Sequence, residues 1–378
     1  MILIIIGVVC YPIFAILVSR RRKNYKKYAP RILIIPQLTR IGDLICATPV
    51  FRQIKEKYPH CHLAVLVTPK IAGIIKNNPH LDEIILLEDK EYLEFFGLFR
   101  LFKKVRSRHF DWSINLASST MGSLVALYAV IPSRVKIIKL NRPLTETLTD
   151  WWNQYRILYN IDERIPLLYL RSLTPLGIKS SVEGEKEVFT SAGGDKKAQE
   201  FFSKYNIAAD SFVVGISVSA GNKIKEWGDK KFALLVSQLA AKYGAKIIFV
   251  GPPSDSARID KILRSAGQNF IKAVDFSLEE LPSLIRRFNL FIAADSGPIH
   301  IAHALGVPLI DIIGPVDPDE QTPNYGKYLI VKPPPDIKPT IFALSPPGAP
   351  GENRRAVEMI SVEEVLEAAG RLLVRNEN

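Results

Sequence analysis

The feature that most narrows the fold is a repeated alternation of short apolar runs with segments of helical periodicity. Residues 31–36 (RILIIP), 62–67, 83–87 and 112–116 each read as a buried strand, and the intervening 44–58, 71–77 and 92–105 read as helices. A weaker stretch containing Gly177, Gly184, Gly193 and Gly194 interrupts the pattern. The alternation then restarts, with strands at 212–218, 246–250, 289–293 and 308–313 and helices at 231–243, 255–265 and 299–305. An amphipathic helix at 362–374 closes the chain. Continuous apolar strands separated by helices mean βαβ units and parallel sheets covered on both faces. Two such series in 378 residues predict two Rossmann-like, doubly wound α/β domains at 31–180 and 196–378, joined by a linker at 181–195.

The amino terminus belongs to neither series. Residues 1–18 carry no charged side chain, and Arg20, Arg21, Arg22, Lys23, Lys26 and Lys27 follow with no acidic residue before position 31. The apolar length stands near the lower limit for crossing a bilayer, roughly 17 residues. The charge follows the apolar run, the reverse of a cleaved signal. The sequence therefore predicts a membrane helix at 1–19 with a basic flank at 20–30. The positive flank assigns the body of the chain to the cytoplasmic face of the inner membrane. A helix lying in the interface, or a buried helix, is the alternative.

That cluster supplies half of the net charge of +12. The remainder is dilute, with no basic stripe interleaved with aromatics, so no nucleic-acid partner is expected. Phe95, Phe96, Phe99 and Phe102, near Lys103, Lys104, Arg106 and Arg108, either pack into the first domain or touch an anionic bilayer. Cys10, Cys46 and Cys61 have neither disulfide nor zinc spacing and suit a reducing compartment.

Doubly wound sheets bind ligands beyond the carboxyl ends of their strands, which is where the candidate chemistry lies. Arg40-Ile41-Gly42-Asp43 follows the first strand. Gly42 admits close approach to the backbone, and Asp43 reads either as a general base or as a helix N-cap. In the second series a small-residue loop at 217–221 leads to Lys223 and Lys225. Exposed amides and an ammonium there suit an anion such as pyrophosphate, and a solvated lysine is the plain alternative. Asp295-Ser296-Gly297-Pro298 ends a buried strand and opens a helix. Proline in the first turn leaves other amides free for a phosphate, and Ser296 adds a donor; an ordinary capped helix is the alternative. His300, in the first turn, either reaches the same phosphates or packs. Asp255, after Gly251-Pro252-Pro253, reads as a ribose-binding carboxylate or as a cap. No residue set has metal-ligand spacing, and neither first strand leads into the G-x-G-x-x-G turn of a dehydrogenase.

Taken in order, RIGDLICATPVFRQIKEKYP at 40–59, NPHLDEI at 78–84, KEWGDKKFALL at 225–235 and DSGPIHIAHALGVPLIDIIGPVDP at 295–318 resemble glycosyltransferase family 9. These are the heptosyltransferases that build the inner core of lipopolysaccharide, and the resemblance runs from Arg31 to the last helix. It implies a GT-B arrangement, with the acceptor handled by the first domain and a nucleotide-sugar by the second. By matching position it implies Asp43 as catalytic base, beside Gly42, and Lys225 as the donor-phosphate lysine. Asp295, Ser296 and Gly297 become the nucleotide-contacting loop, and Asp255 falls at or beside an acid that contacts ribose in similar enzymes. The implied reaction is an inverting, metal-independent transfer of heptose from ADP-heptose onto a lipopolysaccharide core or related lipid-linked saccharide, with no cofactor. A transferase for another nucleotide-sugar, or a non-catalytic membrane scaffold that binds one, is the alternative. Three departures from the family pattern stand out: residues 333–355 lack the cysteines many relatives carry, the loop before Lys225 is Ser219-Ala220-Gly221-Asn222 where relatives vary widely, so the resemblance does not fix the donor sugar, and the membrane helix exceeds the usual peripheral association.

Overall fold

Each pair of neighbouring parallel strands needs a crossover, and the chain supplies one every time. The computed structural model describes residues 1–22, 29–140, 142–179, 184–267, 270–321, 326–344 and 356–375. It divides into two units, Met1–Glu185 and Lys186–Asn378, each built on one six-stranded sheet.

The first unit holds β1 (Arg31–Ile35), β2 (His62–Val67), β3 (Glu83–Leu86), β4 (Trp112–Asn115), β5 (Ser133–Ile138) and β6 (Tyr155–Leu158). Their order is β3-β2-β1-β4-β5-β6, all parallel. The helices are α1 (Ile2–Val9), α2 (Tyr11–Arg22), α3 (Ile41–Cys46), α4 (Thr48–Lys57), α5 (Pro69–Ala72), α6 (Asp89–Leu93), α7 (Phe95–Arg106), α8 (Thr120–Tyr128), α9 (Leu144–Asp150) and α10 (Ile165–Arg171). Ile32, Leu33, Ile34 and Ile35 of the central β1 are fully buried, as a strand covered on both faces requires.

Two predicted helices are broken in fact. The 44–58 segment is divided at Ala47 between α3 and α4, because Pro49 in the first turn of α4 has no N–H to continue a helix from before it. The 92–105 segment is divided at Glu94, whose backbone is extended between α6 and α7.

The second unit holds β7 (Val213–Ser217), β8 (Lys246–Val250), β9 (Ile271–Ala273), β10 (Leu290–Ala294), β11 (Leu309–Ile312) and β12 (Tyr328–Val331). Its helices are α11 (Ala192–Lys204), α12 (Asp229–Tyr243), α13 (Ser256–Ala266), α14 (Leu281–Ile285), α15 (Gly297–Ala304) and α16 (Val362–Arg375). The order β12-β11-β10-β7-β8-β9 repeats that of the first unit, read from the opposite edge. In both sheets the first and fourth strands, β1 with β4 and β7 with β10, lie side by side, and the winding reverses between them. That reversal opens the crevice in which doubly wound sheets hold ligands.

The amino terminus differs from the predicted single membrane helix. α1 and α2 are bent by 65° at their junction, and no single helix among the described residues is long and apolar enough to cross a membrane. A continuous helix would lose the bond from position 12 to Val8, since Pro12 has no N–H, and its ring would clash with that carbonyl. α1 instead packs on α8 and α9. The Tyr128 hydroxyl donates to the Leu3 carbonyl at 2.6 Å, and Leu3 and Ile4 join the core of the first unit. At Gly7 a Cβ would stand 2.7 Å from the Trp152 ring, so only glycine permits this approach. Residues 23–28 of the basic flank and 345–355 of the cysteine-free region lie outside the described residues.

Candidate active site

In the first unit, the loop leaving β1 turns into α3 at the crevice. Arg40 takes the N-cap position and Asp43 falls inside the first turn, so the capping reading of Asp43 does not hold. A carboxylate there faces the positive end of the helix. Gly42 is helical and has no left-handed φ. Asp43 is 4% exposed, and its neighbour is a residue that sequence reading missed, Tyr169 of α10, itself fully buried. Burial, then the charges of Asp43 and Cys46, push the Tyr169 phenol well above its usual pKa, against an opposing pull from Arg40. Tyr169 therefore keeps its proton and is a neutral phenol near Asp43. At the carboxyl end of the adjacent β4, Asn115 Oδ1 and Ser119 Oγ are buried without a hydrogen-bond partner among the described residues.

In the second unit, Lys225 ends a short 3₁₀ turn, Lys223–Lys225, that Asn222 caps through the Ile224 amide. Its ammonium donates to Asp295 Oδ2 at 2.6 Å, so the structure joins two residues that sequence reading had treated separately. The rest of the KEWGDKK motif is structural support for that lysine. Trp227 is buried, donates to the Ile360 carbonyl at 2.9 Å, and meets Phe232 edge to face. Gly228 has φ of 109°, a conformation open to glycine that turns the chain into α12. Arg258 pairs with both Glu226 and Asp229.

Asp295 follows β10, and Ser296 occupies the N-cap of α15 without making a cap bond. Its hydroxyl is buried and has no hydrogen-bond partner among the described residues. A donor held out of water with nothing to bind is costly unless a ligand completes it. Gly297 and Pro298 form the first turn, where several amides are free to face an anion.

His300 is 2% exposed, and the residue that meets it is Lys186, 5% exposed, from a segment read as linker. The Lys186 ammonium lies 2.9 Å from His300 Nδ1 and donates to the Gln321 carbonyl at 2.6 Å. Burial chiefly, then the positive charge of Lys186, with His303 and Lys225 adding to it, holds the His300 pKa well below its ordinary value. An ammonium has only hydrogens to give, so Nδ1 accepts and the single ring proton sits on Nε2. His300 is thus a neutral N–H donor.

Asp255 precedes α13 but makes no cap bond. Its carboxylate accepts a short hydrogen bond from Ser219, in the loop after β7, and lies against Gly251. Loops from β7, β8 and β10 therefore carry Ser219, Lys225, Asp255, Asp295 and Ser296 at the carboxyl side of one sheet. Among the described residues no three His, Cys, Asp or Glu side chains group as a metal site.

Residues 98–333 match the model of glycosyltransferase family 9 (heptosyltransferase). Lipopolysaccharide heptosyltransferase 3 of Escherichia coli is 26% identical over 289 residues, 73% of this chain and 81% of that protein. A family 9 glycosyl transferase from Veillonella parvula superposes with a TM-score of 0.77 at 22% identity, covering 92% of this chain and 98% of that one. The ADP-heptose lipopolysaccharide heptosyltransferase II of Escherichia coli gives 0.72 at 18% identity, over 92% and 100%. At these identities the structural likeness speaks to the fold, which is the two-sheet α/β fold of those enzymes.

Proposed function

Because the chain belongs to glycosyltransferase family 9, we propose that it transfers heptose from ADP-heptose to a lipopolysaccharide core or a related lipid-linked saccharide. The observation that carries this reading is the buried Ser296 hydroxyl at the N-terminus of α15, without a partner among the described residues, with Lys225 on the adjoining Asp295. That combination suits the pyrophosphate of a nucleotide-sugar. The names of the Escherichia coli relatives support heptose and ADP as the sugar and base.

In the proposed reaction Asp43 accepts the proton of an acceptor hydroxyl as that oxygen bonds to the anomeric carbon. The bond from that carbon to the nucleoside diphosphate breaks on the opposite face, so configuration inverts and ADP leaves. Lys225, the Ser296 hydroxyl and the first amides of α15 take up the charge growing on the leaving pyrophosphate, without a metal. Asp255 exchanges its Ser219 partner for ribose hydroxyls, and neutral His300 donates through Nε2. The neutral Tyr169 hydroxyl orients the Asp43 carboxylate. The site of action is the cytoplasmic face of the inner membrane, where a nucleotide-sugar and a lipid-linked acceptor are both supplied.

The test is a transfer assay of purified protein against ADP-, UDP- and GDP-sugars with a lipid-linked saccharide acceptor. Acceptor-dependent ADP release from ADP-heptose is expected. Tight nucleotide-sugar binding without turnover on any donor overturns the reading in favour of a non-catalytic scaffold.

A further inference from the structure

Exposed apolar side chains crowd one side of the first unit. On α1 and α2, Ile2, Ile5, Val9, Ile13 and Ile16 are all more than half exposed, while Leu3, Ile4 and Val18 are buried. α9, which packs on α1, brings Leu144 at 70% exposed and is followed by Trp151 at 72%. α7 brings Phe96 at 74% and Phe99 at 42%.

Ring contacts make these one face. Phe14 of α2 meets Tyr128 of α8 edge to face at 5.2 Å, Tyr128 stacks on Phe102 of α7 at 4.8 Å, and Phe102 meets Phe99 at 6.2 Å. On the other flank Trp152, next to Trp151, lies against Gly7 of α1. All four bordering helices therefore surround the buried α8. An apolar area drawn from four helices signals a partner.

The charges around it say which kind. Arg20 is exposed at the end of α2, Lys103 and Arg106 are exposed in the last turn of α7, and Arg156 stands over the Trp151 ring. In sequence Arg21, Arg22, Lys23, Lys26 and Lys27 continue the cationic run with no acidic residue before position 31. Apolar side chains edged by cations match the boundary between the headgroups and acyl chains of an anionic leaflet. A second copy of this chain would set the same cations against themselves across a two-fold axis. Crossing the bilayer is no better served: at 1.5 Å per residue the eight-residue α1 spans only about 12 Å of a core roughly 30 Å thick. Straightening α1 and α2 into one rod would also strip Leu3 and Ile4 from the core they complete.

We infer that the face formed by α1, α2, α7 and α9 is a monotopic docking surface for an anionic lipid leaflet, with the bent α1–α2 pair inserted in the plane of the interface. This deepens the membrane assignment made above and is independent of which sugar is transferred, since vesicle binding needs neither donor nor acceptor.

The experiment is cosedimentation of the full chain with phosphatidylcholine vesicles, with and without phosphatidylglycerol. Salt-sensitive binding to the phosphatidylglycerol vesicles is expected, with release of the native protein from membranes by alkaline carbonate. Trp151→Ser and Phe96→Ser, both remote in sequence from α1 and α2, should each lower partitioning roughly tenfold. Lys103→Glu with Arg106→Glu should weaken binding to the anionic vesicles alone. Near-ultraviolet circular dichroism establishes that each variant is folded. Resistance to carbonate, wild-type partitioning of the folded Trp151→Ser and Phe96→Ser proteins, or a dimer that these changes dissociate while lipid binding persists, would each overturn the inference.

Discussion

Acidification should loosen the second unit through His300, and the size of the effect follows from linkage. An unfolded histidine titrates near about pH 6.5, whereas burial and the nearby Lys186 hold folded His300 well below that. Between those two pKa values the unfolded chain binds a proton that the native state refuses. The contribution of neutral His300 is therefore complete above about pH 6.5 and declines as pH falls toward the folded pKa, by about 1.4 kcal/mol per pH unit.

The assay is urea unfolding of protein labelled with fluorotryptophan, followed by the fluorine signal of Trp227, the one tryptophan in Lys186–Asn378. Other groups titrate too, so the informative quantity is the difference between wild type and His300→Gln, which carries no titratable ring. Below about pH 6 the wild-type slope should exceed that of the variant, by at most about 1.4 kcal/mol per unit. Lys186→Met should narrow the pH window from its acid end, because burial, the larger cause of the shift, remains. Equal slopes in wild type and His300→Gln would refute the reasoning.

Asp43→Asn should leave ADP-sugar affinity unchanged in calorimetry while turnover falls by at least about a hundredfold; near-normal turnover rejects the general-base role. Lys225→Ala should weaken donor binding by roughly tenfold to a hundredfold, the range for a charge-assisted bond, whereas Ser296→Ala should cost about two- to tenfold. Donor titrations that cannot distinguish either variant from wild type count against the pyrophosphate site. Gly228→Ala should destabilise the second unit by roughly 1–3 kcal/mol in denaturant melts, because alanine is strained at φ of 109°; an unchanged midpoint would contradict that.

The strands that were legible in the sequence are those whose burial is apolar throughout, such as Arg31–Ile35 and Leu290–Ala294. β5 was not legible, because Arg134 and Lys136 occupy its centre. Both are buried: Arg134 donates to the Trp152 and Ile131 carbonyls at 2.6 Å each, and Lys136 pairs with Asp150 at 2.7 Å. Each satisfies its charge with groups that follow or precede it in the chain, which no periodicity reports. β9 is only three residues long, and β12, though apolar throughout, is an edge strand that is mostly half-buried and was not read as a strand.

Of the candidate site residues, Asp295 was visible because it directly follows a strand, and Asp43 and Lys225 because each lies in the segment after the first strand of its sheet. Tyr169 was hidden inside an ordinary apolar helix, IPLLYLR, and only packing brings it to Asp43. Lys186 lay in a stretch whose local composition signals a linker, yet it is fixed by contacts 114 and 135 residues away. The bend between α1 and α2 had a local cause in Pro12, but the packing of Leu3 and Ile4 onto α8 and α9 did not.

The bond from Trp227 to the carbonyl of Ile360, with Lys231 donating to the same oxygen at 2.7 Å, has a consequence for how the chain is made. A protein emerges from the ribosome amino end first, and domains mature in that order. The first sheet can close while the second is still being translated. The loop that presents Lys225 must wait until residue 360 has emerged, some 133 positions later, before its tryptophan finds its acceptor. The loop that carries Lys225 is thus among the last parts of the molecule to reach its final form, after α1, α2, α7 and α9 are already built.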